Sequence, residues 1–219
     1  MCRTMLTLLP IVGLVGSNNL STAIIILGIG VILIFAASPR YIQFAALGGA
    51  GIGFIAIFLA AESYRLERLA IWREPEKYEK GFQTIQGLYA IGSGGLFGRG
   101  LGNSIQKLGF VPEAQNDMIF SIICEELGLA GAGIIVFLFL LLIWRFFLIA
   151  SGSRDLFGAL IATGAMAHMM IQVILNIAVV TNTIPNTGIT LPFISYGGTS
   201  VMFLLIEMGL VLSVSQVVD

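Results

Sequence analysis

The chain has 219 residues, of which 57% are hydrophobic and only 11% charged, and its formal net charge is −1. Soluble domains carry about 25% charged residues, so this composition excludes an ordinary soluble domain and predicts an integral membrane protein. A net charge so close to zero gives no reason to expect a nucleic-acid partner. Cys2 and Cys124 match no metal or disulfide spacing and are expected to be small apolar side chains only.

Long hydrophobic runs separated by polar turns predict an all-α membrane protein, a polytopic helical bundle of about six transmembrane helices in a single domain. The expected spans lie near residues 3–16, 20–37, 41–61, 118–148, 156–181 and 199–217. The first is short for a hydrocarbon core of about 30 Å, which needs about 20 residues to cross. We therefore expect a fragment whose upstream part is missing.

The orientation follows from the short connections between the spans. If the six spans alternate, the basic residues of these connections all fall on one side: Arg3, Arg40, Arg145 and Arg154. The positive-inside rule makes that side the cytoplasm. Two longer connections, the outer loops 62–117 and 182–198, then share the outer face.

The composition of the first outer loop changes along its length. Its first part is rich in charged residues, among them Glu67, Arg68 and Lys80, which we interpret as a solvated or interfacial face. Residues 82–96 are apolar but interrupted by glycine, which indicates a partly inserted, re-entrant helix.

A glycine-rich stretch follows. Seven glycines lie between Gly87 and Gly102, although each costs roughly 1 kcal/mol relative to alanine inside a helix. They suit a flexible connector, or a backbone that turns tightly and lets a ligand approach. The residues after them favour the ligand, because polar and charged side chains gather at the mouth of a span: Gln106, Lys107, Glu113, Asn116 and Asp117.

Two interpretations of Asp117 are equally consistent with its position. As the N-cap of the fourth span, its carboxylate would accept hydrogen bonds from free backbone N–H groups. As a general base, it would lie in a glycine-lined, partly dehydrated pocket, where burial raises its pKa.

Glu113 follows Pro112, which suits the first position of a short helix. In such a helix Glu113 and Asp117 share a face, and two carboxylates there could bind a divalent cation. Lys107 and Arg99 could instead hold a phosphate group directly. An ordinary solvated loop is the alternative for Glu113.

The fifth span carries a polar stripe, which consists of His168, Gln172 and Asn176 at intervals of four residues. Such groups in lipid usually hydrogen-bond to a neighbouring helix, and lining a cavity is the alternative. Glu207 lies in the middle of the sixth span and needs a partner or a polar cavity. The stripe is its candidate partner in this chain.

Three blocks of sequence resemble the FtsW/RodA/SpoVE family of bacterial cell-wall proteins. They are GLYAIGSGGLFGRGLGNSIQKLGFVPEAQNDMIF at residues 87–120, CEELG at 124–128 and NTGITLPFISYGGTS at 186–200. A single glycine-rich loop would be weak, but three blocks in this order and spacing among spans are specific.

The resemblance implies a peptidoglycan glycosyltransferase that polymerises lipid II during cell division, at the outer face of the bacterial plasma membrane. The essential acidic residue of the family falls on Asp117, as the general base. Lys107 and Arg99, or a divalent cation (Mg or Mn) on Asp117 and Glu113, would offset the pyrophosphate charge. Further substrate-binding residues are expected at Gln106, Glu113, Asn116, Ser195 and Tyr196. Expected partners are a class B penicillin-binding protein, which supplies the transpeptidase, and other division proteins.

Two other functions stay open at this stage, a lipid II flippase and a non-catalytic scaffold of the cell-wall synthesis complex. The family has about ten spans, and this chain resembles only the last six. Asn116 stands where the family commonly has threonine, and Asn19 where it often has aspartate. The second change removes a charge, so no catalytic role is assigned to Asn19.

Overall fold

The computed structural model describes residues 2–38, 48–49, 51, 53 and 63–216. Most of the predicted third span near 41–61 lies outside these residues, and so does Arg40. The described residues contain no strand, and seven α-helices follow one another along them: α1 Cys2–Asn18, α2 Leu20–Ala37, α3 Ser63–Arg73, α4 Phe82–Gly94, α5 Ile119–Gly152, α6 Leu156–Val180 and α7 Gly198–Ser215. The predicted all-α architecture is confirmed.

Four of these helices, α2, α5, α6 and α7, are long and apolar enough to cross a membrane. The chain is therefore a multi-pass membrane protein. α5 has 34 residues, and the 24 residues after Gly128 alone extend for about 36 Å at 1.5 Å per residue, so this helix is longer than the hydrocarbon core, as predicted. α1 has 17 residues and is the short first helix that the sequence predicts.

A single non-helical residue, Asn19, separates α1 from α2. Asn19 is the N-cap of α2, because its side-chain oxygen accepts a hydrogen bond from the Thr22 N–H at 3.1 Å. This cap gives Asn19 a structural role. α1 and α2 then pack closely, since a Cβ atom at Gly30 would collide with the Leu8 side chain.

The chain forms two compact units. The first unit consists of Met1–Ala61, Leu142–Ile171 and Met202–Asp219, and the second of Glu62–Leu141 and Gln172–Val201. The second unit holds almost all of both predicted outer loops, and Phe82–Gly94 forms the helix that the sequence predicts at 82–96.

A break inside α5 organises the glycine-rich stretch of the second unit. At Gly128 the backbone adopts φ 68° and ψ −171°, a conformation that is essentially confined to glycine. The loop after α4 supplies the hydrogen bonds that the break leaves open. Two N–H groups of the loop donate to the helix and two of the helix donate to the loop: Arg99 to Glu125 O (2.9 Å), Gly100 to Glu126 O (2.9 Å), Leu129 to Gly95 O (2.9 Å) and Ala130 to Leu96 O (3.0 Å).

The two backbones approach so closely that glycine is required on both sides. A Cβ atom at Gly98 would collide with the Glu126 carbonyl, and one at Gly128 would collide with the Gly98 nitrogen. Gly98 also has a positive φ of 75°. These two glycines therefore serve a tight backbone contact and not flexibility.

The Gly128→Ala variant should lose at least the strain of a glycine-only conformation, about 1–3 kcal/mol of unfolding free energy, together with the loop contact. Thermal unfolding in detergent measures the loss. Gly133→Ala is the matched control, because Gly133 lies on the same helix with open space around a Cβ atom. Equal midpoints for the two variants would contradict the account of the break.

Candidate active site

The side chains of Glu125 and Glu126 hold the loop that follows the glycines. Glu125 is fully buried, at 0% exposure, and its carboxylate accepts hydrogen bonds from the Ser104 hydroxyl and from the Ile105 and Gln106 N–H groups. Arg99 Nη1 lies 3.4 Å from Glu125 Oε1. A buried carboxylate that collects this many donors is the centre of the loop structure.

Glu126 plays a similar part beside it. Its carboxylate accepts from the Gly102 N–H at 3.0 Å and the Ser104 N–H at 3.3 Å, and it lies 2.6 Å from Lys107 Nζ. Both cations that the sequence offers for a phosphate, Arg99 and Lys107, are thus paired with glutamates of α5. Their role in substrate binding stays a prediction.

Later parts of the chain hold the turn that carries Asp117. Three successive carbonyl oxygens of this turn each accept a hydrogen bond from a later part of the chain: Gln115 O from the Tyr196 N–H (2.8 Å), Asn116 O from Ser195 Oγ (2.7 Å) and Asp117 O from Asn176 Nδ2 (2.8 Å). We call these three hydrogen bonds the carbonyl clamp. The second outer loop and α6 thereby determine where Asp117 lies.

Two predicted substrate-binding residues belong to this clamp. Ser195 is buried, and its hydroxyl also accepts the Leu191 N–H at 2.7 Å, so both of its hydrogen bonds are internal. Tyr196 contributes its backbone, while its side chain is 75% exposed. The structure shows a bracing function for both residues, and a substrate contact stays a prediction.

Of the two alternatives for Glu113, the structure shows the exposed loop and not the short helix after Pro112. Residues 112–118 form turns, and Glu113 has a positive φ of 53°. The Asn116 N–H bonds to the Glu113 carbonyl at 2.9 Å, and the Asn116 side chain bonds to the Glu113 carboxylate. The carbonyl clamp supplies hydrogen-bond donors to this turn from other parts of the chain. The i to i+4 hydrogen bonds of a helix therefore do not form, and Glu113 and Asp117 do not share a helical face.

Asp117 itself is buried, at 8% exposure. Among the described residues its Oδ1 atom has no hydrogen-bond partner, so an N-cap role finds no support at that atom. Burial is the main cause of a raised pKa for Asp117, and the negative charge of Glu113 raises it further. The N–H groups of Asp117 and Met118 oppose this rise.

Asp117 lines a cavity of about 300 Å³ in the second unit. The other residues on the cavity wall come from α3, the turn Glu79–Gly81, the start of α4 and the second outer loop, and they include Arg68, Trp72, Lys80, Thr84, Asn186 and Thr187. Of the eight predicted site residues, Asp117 alone is found among the described residues of this wall. The structure does not bring Arg99, Gln106, Lys107, Glu113, Asn116, Ser195 or Tyr196 to it.

Hydrogen bonds to the second outer loop explain how α3 reaches this cavity. Trp72 Nε1 donates to Asn182 O at 2.9 Å, and Arg68 Nη1 donates to Asn186 O at 3.3 Å. Lys80 Nζ lies 3.0 Å from Glu67 Oε1, and both side chains are well exposed. The predicted solvated face is thus confirmed, but the sequence analysis did not predict that this face also lines the cavity. The only local indication is that Arg68 and Trp72 are four residues apart and share one face of α3.

Each member of the polar stripe bonds to another part of the fold. His168 bonds to a neighbouring helix, as the packing interpretation predicts, whereas the partners of Gln172 and Asn176 lie in the second outer loop and the Asp117 turn. His168 Nδ1 lies 3.0 Å from Glu207 Oε2, so the expected partner of Glu207 is present. Gln172 Nε2 donates to Thr190 Oγ1 at 3.4 Å, and Asn176 is part of the carbonyl clamp.

The described residues do not fit a resident divalent cation. No three His, Cys, Asp or Glu side chains within the described ranges are grouped as ligands. Glu113, the predicted second ligand, is bound to Asn116 and does not line the cavity with Asp117. The divalent cation therefore stays a prediction from the resemblance, and no step below depends on it.

Comparisons with known proteins agree with the resemblance. The chain is 46% identical over 201 residues to stage V sporulation protein E of Bacillus subtilis (strain 168), a match that covers 90% of this chain and 55% of that protein. It is 37% identical over 214 residues to the probable peptidoglycan glycosyltransferase FtsW of Trichlorobacter lovleyi, which covers 96% of this chain and 56% of that protein. The chain thus spans about half the length of these relatives.

Two solved structures share the fold. One belongs to a study of how a peptidoglycan synthase complex coordinates polymerisation and crosslinking (TM-score 0.77, 26% identity, 97% of this chain and 60% of that chain). The other is a variant of the rod shape determining protein RodA of Thermus thermophilus (TM-score 0.66, 26% identity, 99% of this chain and 56% of that chain). The family model described as "Cell cycle protein" matches residues 1–219, and the chain belongs to this family, which comprises FtsW, RodA and SpoVE.

Proposed function

We propose that this chain carries the catalytic residues of a peptidoglycan glycosyltransferase that polymerises lipid II during cell division, with Asp117 as general base. One observation carries the proposal: a buried carboxylate with an unpartnered oxygen, among the described residues, lies on a cavity wall that also holds two cations, Arg68 and Lys80. The name of the relative from Trichlorobacter lovleyi supports the reaction class.

In the proposed reaction, the acceptor sugar hydroxyl attacks the anomeric carbon of the lipid-linked donor. The new glycosidic bond forms as the bond from that carbon to the pyrophosphate oxygen breaks, and undecaprenyl pyrophosphate leaves with the bonding electrons. Asp117 Oδ1 takes the hydroxyl proton. A raised pKa makes the Asp117 carboxylate a stronger base than an exposed aspartate.

The cavity cations would offset the charge of the leaving pyrophosphate. Arg68 offers a planar guanidinium, which suits phosphate oxygens, and Lys80 offers a point charge. Lys80 is next to the Glu67 carboxylate, so a pyrophosphate would compete with Glu67 for it. Arg99 and Lys107 are already paired with α5 glutamates, which makes them weaker candidates for this task.

We also propose that the reaction takes place at the outer face of the bacterial plasma membrane, together with a class B penicillin-binding protein and other division proteins. The likeness to a chain of a peptidoglycan synthase complex supports such a partner. The arginines of the short connections support the orientation. A lipid II flippase would need a polar path, but the stripe residues are bonded within the fold, so no observation favours it.

Asp117→Asn should lower the rate of lipid II polymerisation in proteoliposomes by about 10²- to 10⁴-fold, because an amide cannot accept the hydroxyl proton. Gel analysis of the glycan strands measures this rate. Asp155→Asn is the control, because Asp155 caps the Gly158 N–H at 2.8 Å elsewhere in the chain and asparagine caps equally well. Polymer at the parental rate from Asp117→Asn would refute the general base.

The pH profile of polymerisation should reflect the raised pKa of Asp117. The base works only when ionised, so kcat/KM falls as pH falls through that pKa, above the ordinary aspartate value of about 3.9. Glu113→Gln removes a charge that raises the pKa, so the acid limb should move to lower pH in this variant. An acid limb at the ordinary value, unmoved by Glu113→Gln, would contradict the buried base.

Arg68→Gln should raise the KM for lipid II by about tenfold, because one charge-assisted contact to the pyrophosphate is lost, at about 1.5 kcal/mol. Arg73→Gln is the matched control: Arg73 lies on the same helix, is exposed and is absent from the described cavity wall. If both variants change the KM equally, the cavity cations have no specific role.

A further inference from the structure

The buried amide of Asn176 is an unusual feature of α6. Asn176 has 0% exposure and lies in an otherwise apolar stretch of a membrane-spanning helix. Its Nδ2 atom donates to Asp117 O at 2.8 Å and to Ile189 O at 2.7 Å, but its Oδ1 atom has no partner among the described residues. An unsatisfied buried acceptor is energetically costly. A leucine here would avoid that cost, which points to the two donors as the reason for the amide.

Of the two carbonyl oxygens that Asn176 binds, one belongs to a residue of the cavity wall and the other to the residue that follows a wall segment. One is the carbonyl of Asp117 itself, and the other follows Thr187 and Gly188, which line the same cavity. A single side chain thus joins two segments that are far apart in sequence. Ser195 and Tyr196 hold the two preceding carbonyl oxygens from a loop, whereas Asn176 holds Asp117 from a helix.

A donor on a helix is a more rigid support than one on a loop. Fixed spacing matters here because a misplacement of about 1 Å can cost about 10²-fold in rate. The same spacing maintains the burial of Asp117, which is the main cause of its raised pKa. The ionisable groups that share this environment are Glu113 in the turn and Glu67, Arg68 and Lys80 on the cavity wall.

We propose that Asn176 is a positioning residue for glycosyl transfer, an inference that rests on the proposed function of Asp117. Its two amide protons set the distance between the Asp117 backbone and Ile189, which directly follows the wall residues Thr187 and Gly188. The amide thereby holds the buried carboxylate at one place on the cavity wall. Asn176 itself takes no part in bond making.

The test compares Asn176→Leu with Gln172→Leu. Leucine is close to asparagine in size and has no donor. Gln172 lies one turn earlier in the same stripe, and its hydrogen bond goes to Thr190 and not to the Asp117 turn. Gln172→Leu thus removes an amide from the same helix without removing a donor to the Asp117 turn.

Two readouts are needed, and one is independent of turnover. In Asn176→Leu, kcat for lipid II polymerisation should fall by about 10²-fold with a smaller change in KM. Modification of Asp117 by dicyclohexylcarbodiimide, which reacts with protonated carboxyl groups, should be followed by mass spectrometry over a range of pH. Its midpoint should move to lower pH, because a looser cavity admits water, which stabilises the carboxylate. Gln172→Leu should leave the midpoint at the parental pH.

The outcomes separate the two proposals. A midpoint that stays at the parental pH in Asn176→Leu, or a loss of kcat no larger than in Gln172→Leu, would overturn the positioning role. Should Asn176→Leu fail to fold, Asn176→Asp keeps the shape, removes at least one donor and carries the same expectation for kcat. If Asp117→Asn polymerises at the parental rate, the function proposed for Asp117 fails. The carbodiimide midpoint still reports whether Asn176 holds the cavity.

Discussion

The site depends on three consecutive backbone carbonyl oxygens, each of which needs a hydrogen-bond donor. The turn before α5 is not helical, so its own N–H groups do not satisfy the oxygens of Gln115, Asn116 and Asp117. Buried carbonyl groups are almost always paired, and here the donors come from the second outer loop and from α6. This requirement gives the block at 186–200 a physical role. A loop that supplies a backbone N–H and a hydroxyl at the right spacing places Asp117 in its cavity.

The break at Gly128 follows the same rule. A helix that is interrupted within a span leaves carbonyl and N–H groups without partners, and lipid cannot supply any. The loop at 95–100 closes the gap with four backbone bonds. Glu125 and Glu126 then gather further donors of the loop and pair with Arg99 and Lys107. A close backbone contact thus explains the glycines. Glu125 and Glu126 neutralise the positive charges of this loop.

Much of this architecture was predictable, because hydropathy reports how long each segment stays apolar. The span expected at 118–148 is α5, Ile119–Gly152, and the one at 20–37 is α2. The partners within the site were not predictable. Arg68 bonds to a residue 118 positions away, and no local pattern encodes such a contact. The short helix considered after Pro112 does not form, for a related reason. Donors distant in sequence support a turn in which Glu113 has a positive φ.

Burial of Asp117 lowers the stability of the fold at neutral pH. Its pKa is higher in the folded chain than in the unfolded chain, so the folded state binds more protons between the two values. Stability therefore falls as pH rises through this window and stays lower above it. The carbonyl clamp offsets this cost, because it satisfies the backbone beneath the carboxylate while it leaves Oδ1 without a partner among the described residues. A fold optimised for stability alone would bond or expose that oxygen. Stability given up at this buried carboxylate accompanies its proposed role as a general base, because the same burial raises its pKa and makes it a stronger base.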